Sequence, residues 1–200
     1  MTTAKGAATR GRIVEAASTE IRERGLNVIT LDDVCRRSGT GKSQLFHYFP
    51  EGREQLLLAV AELEAERVFN DQQPYLGELT SRAAWEKWRD VVVEQHRSQG
   101  LHCPLGILVA DVGRYSPAAQ AVTAQLIGQW QACVRAGIEA TQATGEADPA
   151  LDAQRTAAAV VTAIQGGVSM MLSTGSADHL EDALNLCLDH LFSPARGVNS

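Results

Sequence analysis

Residues 30–49, TLDDVCRRSGTGKSQLFHYF, constrain the fold of this chain more than any other stretch. Leu31, Val34 and Cys35 recur at helical rather than strand spacing. Thr30 precedes them as a good helix N-cap, and Asp33 stands at the reciprocal capping-box position. Gly39 and Gly41 make a turn, residues 42–48 form another helix, and Pro50 ends it. A short helix, a Gly-containing turn and a second short helix are the layout of a helix-turn-helix, whose second helix enters the DNA major groove. The same stretch contains GTGKS, the tail of a phosphate-binding loop. That motif also needs a Gly at the position of Arg36 and an apolar strand before it, and neither is present.

Charge is unevenly placed around this feature. Residues 1–50 carry eight Lys/Arg against five Asp/Glu, whereas residues 51–200 carry ten against nineteen. A net charge of −6 argues against a generic nucleic-acid binder. A basic N-terminal end on an acidic body fits a protein that presents only that end to phosphates. Cys35, Cys103, Cys133 and Cys187 lie far apart with no CxxC pair, which speaks against structural zinc and a disulfide framework. The residues show no metal cluster, triad or carboxylate pair at catalytic spacing, so no enzyme, metal or cofactor is expected. No run of about 20 apolar residues and no secretory signal is expected, which makes the chain a cytoplasmic protein without a membrane partner.

The remaining periodicity is helical throughout, which predicts an all-α protein of about nine helices. The first covers residues 9–24 behind a disordered arm over residues 1–8, and the fourth runs from Arg53 to Asn70. A fifth helix follows Ser81, a short sixth covers residues 104–112, and a long one opens at Ser116-Pro117. Asp148-Pro149 is expected to open the eighth, and Asp178, with Glu181 as capping-box partner, the ninth. Two domains follow: residues 9–52 as a three-helix DNA-binding domain, and residues 53–195 as a helical effector-binding and dimerisation domain. Val161, Ile164 and Val168 form one apolar stripe in the last two helices, and Leu180, Leu184 and Leu191 another. They serve either a four-helix dimer seam or burial within one subunit. Gly166-Gly167, costly inside a helix, suggests close backbone approach.

On these residues the chain resembles the TetR family of transcriptional regulators. TRGRIVEAASTEIRERG is similar to the family's first helix, TLDDVCRRSG to its second, and KSQLFHYF with LLLAV to its third and fourth. PEGREQL and CPLGILVAD are similar to the branch around the LmrA and YxaF repressors. Glu20, Gly41 and Phe46 depart from the residues common in the family. The resemblance implies a homodimer on a near-palindromic double-stranded DNA operator, most simply a repressor released by a small-molecule effector. An all-α ligand-binding protein or enzyme without DNA binding is the alternative.

Side-chain chemistry then distributes roles. Lys42 and Ser43 stand at a helix N-terminus that favours phosphate, and Lys42 alternatively reaches guanine. Gln44 reads adenine or donates to phosphate. His47 and Tyr48 bridge to the DNA backbone, and Thr30 and Arg53 clamp phosphates beside the groove. Leu45 and Phe49 point into the core. Trp85, Trp88 and Trp130 are candidate walls of an effector pocket, or core anchors. Cys103, between His102 and Pro104 at a predicted helix start, is the best placed of the four thiols for a ligand-site or sensor role.

Overall fold

The computed structural model describes residues 4–99 and 117–193. Among the described residues the chain forms eight α-helices and one 3-10 turn, with no strand. The helices are α1 (Ala4–Arg24), α2 (Leu31–Ser38), α3 (Lys42–Tyr48), α4 (Arg53–Asn70), α5 (Arg82–Gln99), α6 (Pro117–Ala143), α7 (Ala153–Thr174) and α8 (Asp178–Leu191). The 3-10 turn, Tyr75–Gly77, precedes α5. The all-α class is thus as expected, and the helix expected over residues 104–112 lies outside the described residues.

Three helix starts differ from the sequence expectation. α1 begins at Ala4, five residues early, because Ala4, Ala7 and Ala8 are strong helix formers that extend it. α7 begins after Asp152, whose carboxylate accepts the Arg155 N–H at 3.1 Å. Asp148 instead closes a turn, taking the Ala150 N–H on its side chain at 2.9 Å and the Leu151 N–H on its carbonyl at 3.2 Å. At α8 the N-cap is Ala177, with no side-chain cap, and the Asp178–Glu181 box does not form. Gly175 (φ 76°) ends α7 and leaves only Ser176 and Ala177 as the link.

The described residues divide into two compact units. Residues 4–68 with 117–124 form the first, and residues 69–99 with 125–193 the second. The division falls after Val68 rather than after Gly52, because Leu56, Leu57 and Val60 of α4 pack in one core with Ile13, Ala17 and Ile21 of α1. Val34, Leu45 and Phe49 complete that core, the last two fully buried, as their spacing predicts.

The second unit is organised around its tryptophans. Trp85, Trp88 and Trp130 are 0–1 % exposed. The indole N–H groups of Trp88 and Trp130 both donate to Gln72 Oε1, each at 3.0 Å, and Gln72 is itself fully buried. Trp85 donates to Thr141 Oγ1 at 3.0 Å and meets Trp88 edge to face, with ring centroids 5.6 Å apart. With no surface and no spare donor, these rings act as core anchors of the second unit.

The two apolar stripes are likewise spent inside the subunit. Val161, Ile164 and Val168 of α7 and Leu180, Leu184 and Leu191 of α8 are all 0–5 % exposed, so they have almost no surface to offer a partner. The paired glycines separate by role. A Cβ on Gly167 would lie 2.6 Å from Leu180 Cα, so Gly167 is what lets α7 and α8 touch. A Cβ on exposed Gly166 would meet nothing within 4 Å. Contrary to the sequence expectation, α7 is long and apolar enough to cross a membrane by length and composition, with mean hydropathy 1.4 over its best window. Its exposed face nevertheless carries Gln154, Arg155, Thr162, Ser169 and Ser173.

Two substitutions test this packing by urea unfolding. Gly167→Ala forces a methyl against backbone and should destabilise by about 1–3 kcal/mol. Gln72→Ala strands two buried indole N–H groups and should cost at least about 2 kcal/mol.

Candidate nucleic-acid interface

The start of α2 is fixed by the cap that the sequence predicts. Thr30 Oγ1 accepts the Asp33 N–H at 3.2 Å, and Asp33 Oδ2 accepts the Thr30 N–H at 2.9 Å and its hydroxyl at 2.7 Å. These Thr30 bonds hold the Asp33 carboxyl far below the usual carboxylate range, with Arg24 adding to the effect. Gly39 (φ 65°) closes α2 in the left-handed conformation that favours glycine, its N–H donating to the Cys35 carbonyl. The Ser38 and Thr40 hydroxyls share a hydrogen bond of 2.7 Å across the turn. Since residues 31–38 are helical, GTGKS has no strand in front of it and does not build a nucleotide-binding loop.

Buried carboxylates then hold α2 and α4 against α1. Glu20, placed where an apolar residue is common, accepts from Arg37 of α2 at 2.6 Å and from Arg24 at 3.0 Å. The Arg37 bond holds its carboxyl below the ordinary value against the opposing effect of burial, and Arg24 helps. Arg37 also pairs with Glu23. Glu64 of α4 accepts from Ser18 at 2.6 Å, from Arg22 at 2.8 and 3.0 Å, and from Arg67 at 2.8 Å. Arg67 continues to Glu15 at 2.5 and 2.7 Å.

With Leu45 and Phe49 anchored at 0 % exposure, α3 turns Lys42, Ser43, Gln44, Phe46 and His47 to solvent and leaves Tyr48 half-buried. His47 and Tyr48 meet edge to face at 5.0 Å. Lys42 pairs with exposed Asp32 at 2.8 Å, which raises its affinity for the proton and keeps it cationic. Such an exposed pair opens readily when another anion approaches. Thr30 is exposed at its cap. Arg53 lies differently from the expected phosphate clamp: its Nη1 donates to the Ile29 carbonyl and its Nη2 to the Leu26 carbonyl, both at 2.6 Å. Arg10, overlooked in the sequence, stacks on the Phe49 ring at 5.2 Å and brings an exposed cation to the end of α3. A basic residue one turn before the first buried Ile of α1 is the signal that marks it.

In the second unit, residues of α7, α8 and the loop before α7 line a cleft of about 400 Å³, among them Leu151, Arg155, Val160, Cys187 and His190. None of the three tryptophans lines it. Burial pushes the Cys133 and Cys187 thiols up, away from the thiolate, and Cys35 is buried. Cys103 lies outside the described residues. No group of three metal-binding side chains occurs among the described residues.

A capped helix, a glycine turn and a second short helix presenting polar side chains define a helix-turn-helix DNA-binding protein. The chain matches the family described as bacterial regulatory proteins, tetR family, over residues 13–60. Over residues 81–187 it matches the tetracyclin repressor-like C-terminal domain. The protein belongs to the TetR family of bacterial transcriptional regulators, whose members are not enzymes. It is 32 % identical over 107 residues to an uncharacterized HTH-type transcriptional regulator of Mycobacterium tuberculosis, a match covering 52 % of this chain and 53 % of that one. The match thus spans about half the length of that curated relative. Two solved structures share the fold. A TetR regulator from Haloarcula marismortui has a TM-score of 0.79 at 16 % identity, over 92 % of this chain and 97 % of that one. Another from Chloroflexus aurantiacus has 0.77 at 23 % identity, over 96 % and 98 %.

The Glu20 cluster predicts an acid limit for this unit. Glu20 ordinarily titrates at 4.5 and its folded value is lower, so its stabilisation is complete above 4.5 and is lost as pH falls through the folded value. Glu20→Gln should therefore flatten the loss of stability below pH 4.5, read by chemical unfolding followed by circular dichroism across that range.

Proposed function

We propose that the protein is a cytoplasmic, ligand-responsive repressor that binds a near-palindromic operator as a homodimer. One observation carries the DNA-binding reading: Leu45 and Phe49 bury one side of α3 completely, while Lys42, Ser43, Gln44 and His47 stand exposed on the rest. Those side chains supply a cation and hydrogen-bonding groups for base edges and phosphates. Tyr48, at the end of α3, and Thr30, at the cap of α2, are proposed to add contacts to the DNA backbone.

The homodimer uses the outward faces of α7 and α8. Met170 and Leu186 are two of the four large hydrophobic residues exposed among the described residues, at 46 % and 70 %. Gly166, with open space above it, gives this face a point of close approach for a second copy. α7 is then a core helix of a soluble assembly rather than a membrane span. An effector taken up by the second unit lowers operator affinity if it binds the DNA-incompetent state more tightly. The three buried indoles report that event through fluorescence without touching the effector.

The test is an electrophoretic shift with a duplex from the region upstream of the protein's own coding sequence. Wild type should bind with affinity falling steeply as salt rises. Lys42→Ala and Tyr48→Phe should each weaken binding by about 1–2 kcal/mol with the fold intact, and wild-type binding by both would remove α3 from the interface. Asp32→Asn, which frees Lys42, should strengthen binding to unrelated DNA more than to the operator. For the dimer, Gly166→Leu and Leu186→Glu should give folded monomers by analytical ultracentrifugation, whereas Val168→Glu should unfold the subunit. Folded dimers from both outward-face variants would move the seam elsewhere.

A further inference from the structure

We propose that Arg53 is a positioning residue for the recognition helix rather than a phosphate contact; this rests on the DNA-binding reading above. The link between α1 and α2 is six residues long and turns at Gly25 (φ 84°). Its side chains Leu26 and Ile29 enter the core, at 7 % and 5 % exposure. Their carbonyls are taken by one guanidinium, through Nη1 at 2.6 Å to Ile29 and Nη2 at 2.6 Å to Leu26. The residue after Ile29 is Thr30, the cap of α2, and α2 is joined to α3 through the glycine turn. Arg53 therefore fastens the first residue of α4 to the point where the helix-turn-helix begins.

The planar fork of an arginine suits two parallel acceptors, and its two terminal nitrogens are both engaged. Each terminal nitrogen keeps a second N–H, but the two carbonyls fix where the guanidinium sits, so moving it out to a phosphate would give up the contacts that hold the start of α2. A lysine at the same place brings a single ammonium and can satisfy the two carbonyls less well. The two roles differ in their salt signature. A phosphate contact releases counterions, and losing it flattens the dependence of log affinity on log salt by about 0.9 per contact, about two for a dimer on two half-sites. A positioning residue lowers affinity at every salt concentration and leaves that slope alone.

Wild type, Arg53→Ala and Arg53→Lys would be titrated against the upstream duplex over a range of salt, well below each variant's unfolding midpoint, with Lys42→Ala as a control for a phosphate or base cation. Arg53→Ala should bind roughly tenfold more weakly with the wild-type slope, and Arg53→Lys should fall between. In the free proteins, hydrogen exchange at the Thr30–Asp33 amides should accelerate in Arg53→Ala. A slope reduced by about two would make Arg53 a phosphate contact and overturn the proposal, as would unchanged affinity. Unchanged exchange at the cap would overturn it without reference to DNA. If wild type fails to bind the duplex while exchange at the cap accelerates as expected, the DNA-binding reading fails for that duplex and the link between Arg53 and the start of α2 stands.

Discussion

A carboxylate withdrawn from water must be met by donors, and in the first unit two buried glutamates determine which helices supply them. Glu20 draws Arg37 of α2 onto α1, and Glu64 draws Ser18 and Arg22 of α1 onto α4. Burying such charges contributes little net stability, since desolvation offsets most of the attraction. The stability comes from the apolar residues packed beneath, Ile13, Ile21, Val34, Leu45 and Phe49 among them. The ion clusters add register. An apolar face can slide by a residue at modest cost, whereas a carboxylate moved off its guanidinium leaves a charge unanswered. The orientation of α3 follows from this, since α3 is joined by short links to α2 and α4 and is anchored by Leu45 and Phe49 on the same core.

The helix-turn-helix was legible because its signals are local. Thr30, Asp33, Gly39 and Pro50 act on their own neighbours, and α2, α3 and α4 occupy the expected residues. A local signal can also be overridden, as at the start of α7, where the expected opening at Asp148-Pro149 is not the one used. Asp152, four residues on, caps α7, and Asp148 uses its acceptors on the turn before it. Helical periodicity also names the residues that share a face without naming the neighbour. The stripes through Val168 and Leu184 were correctly grouped, but they face each other within the subunit rather than a second copy. The tryptophans follow the same rule, since a large ring at helical spacing is apolar surface whether a ligand or Gln72 meets its N–H. Arg53 and Glu20 are the harder cases. Their acceptors and donors lie elsewhere in the chain, and only the folded arrangement brings them together.

The two glycines in α7 show how one helix can serve two neighbours. Gly167 is closed against Leu180, and Gly166, the next residue, opens outward. Adjacent residues in a helix point about 100° apart, so the pair divides the helix surface between an internal and an external contact. The side chain absent at Gly167 is required by the subunit's own packing. The one absent at Gly166 has no such reason among the described residues, and the proposed dimer seam is what would make use of it.

Gln72 gives the second unit an evolutionary property that its packing alone would not. One oxygen serves the indoles of α5 and α6, so the three positions are coupled through Gln72, whose loss leaves both indole N–H groups unpaired. Asn is a methylene too short to serve both rings from the same backbone, and Glu brings a charge into an apolar interior. A lineage that altered Gln72 would have to change both tryptophans in nearly the same step, whereas one that altered a single tryptophan would leave the other still paired. Sequence change in this unit therefore has easier routes at side chains around this node than through it. Gln72 should persist wherever both tryptophans do, while its surroundings diverge.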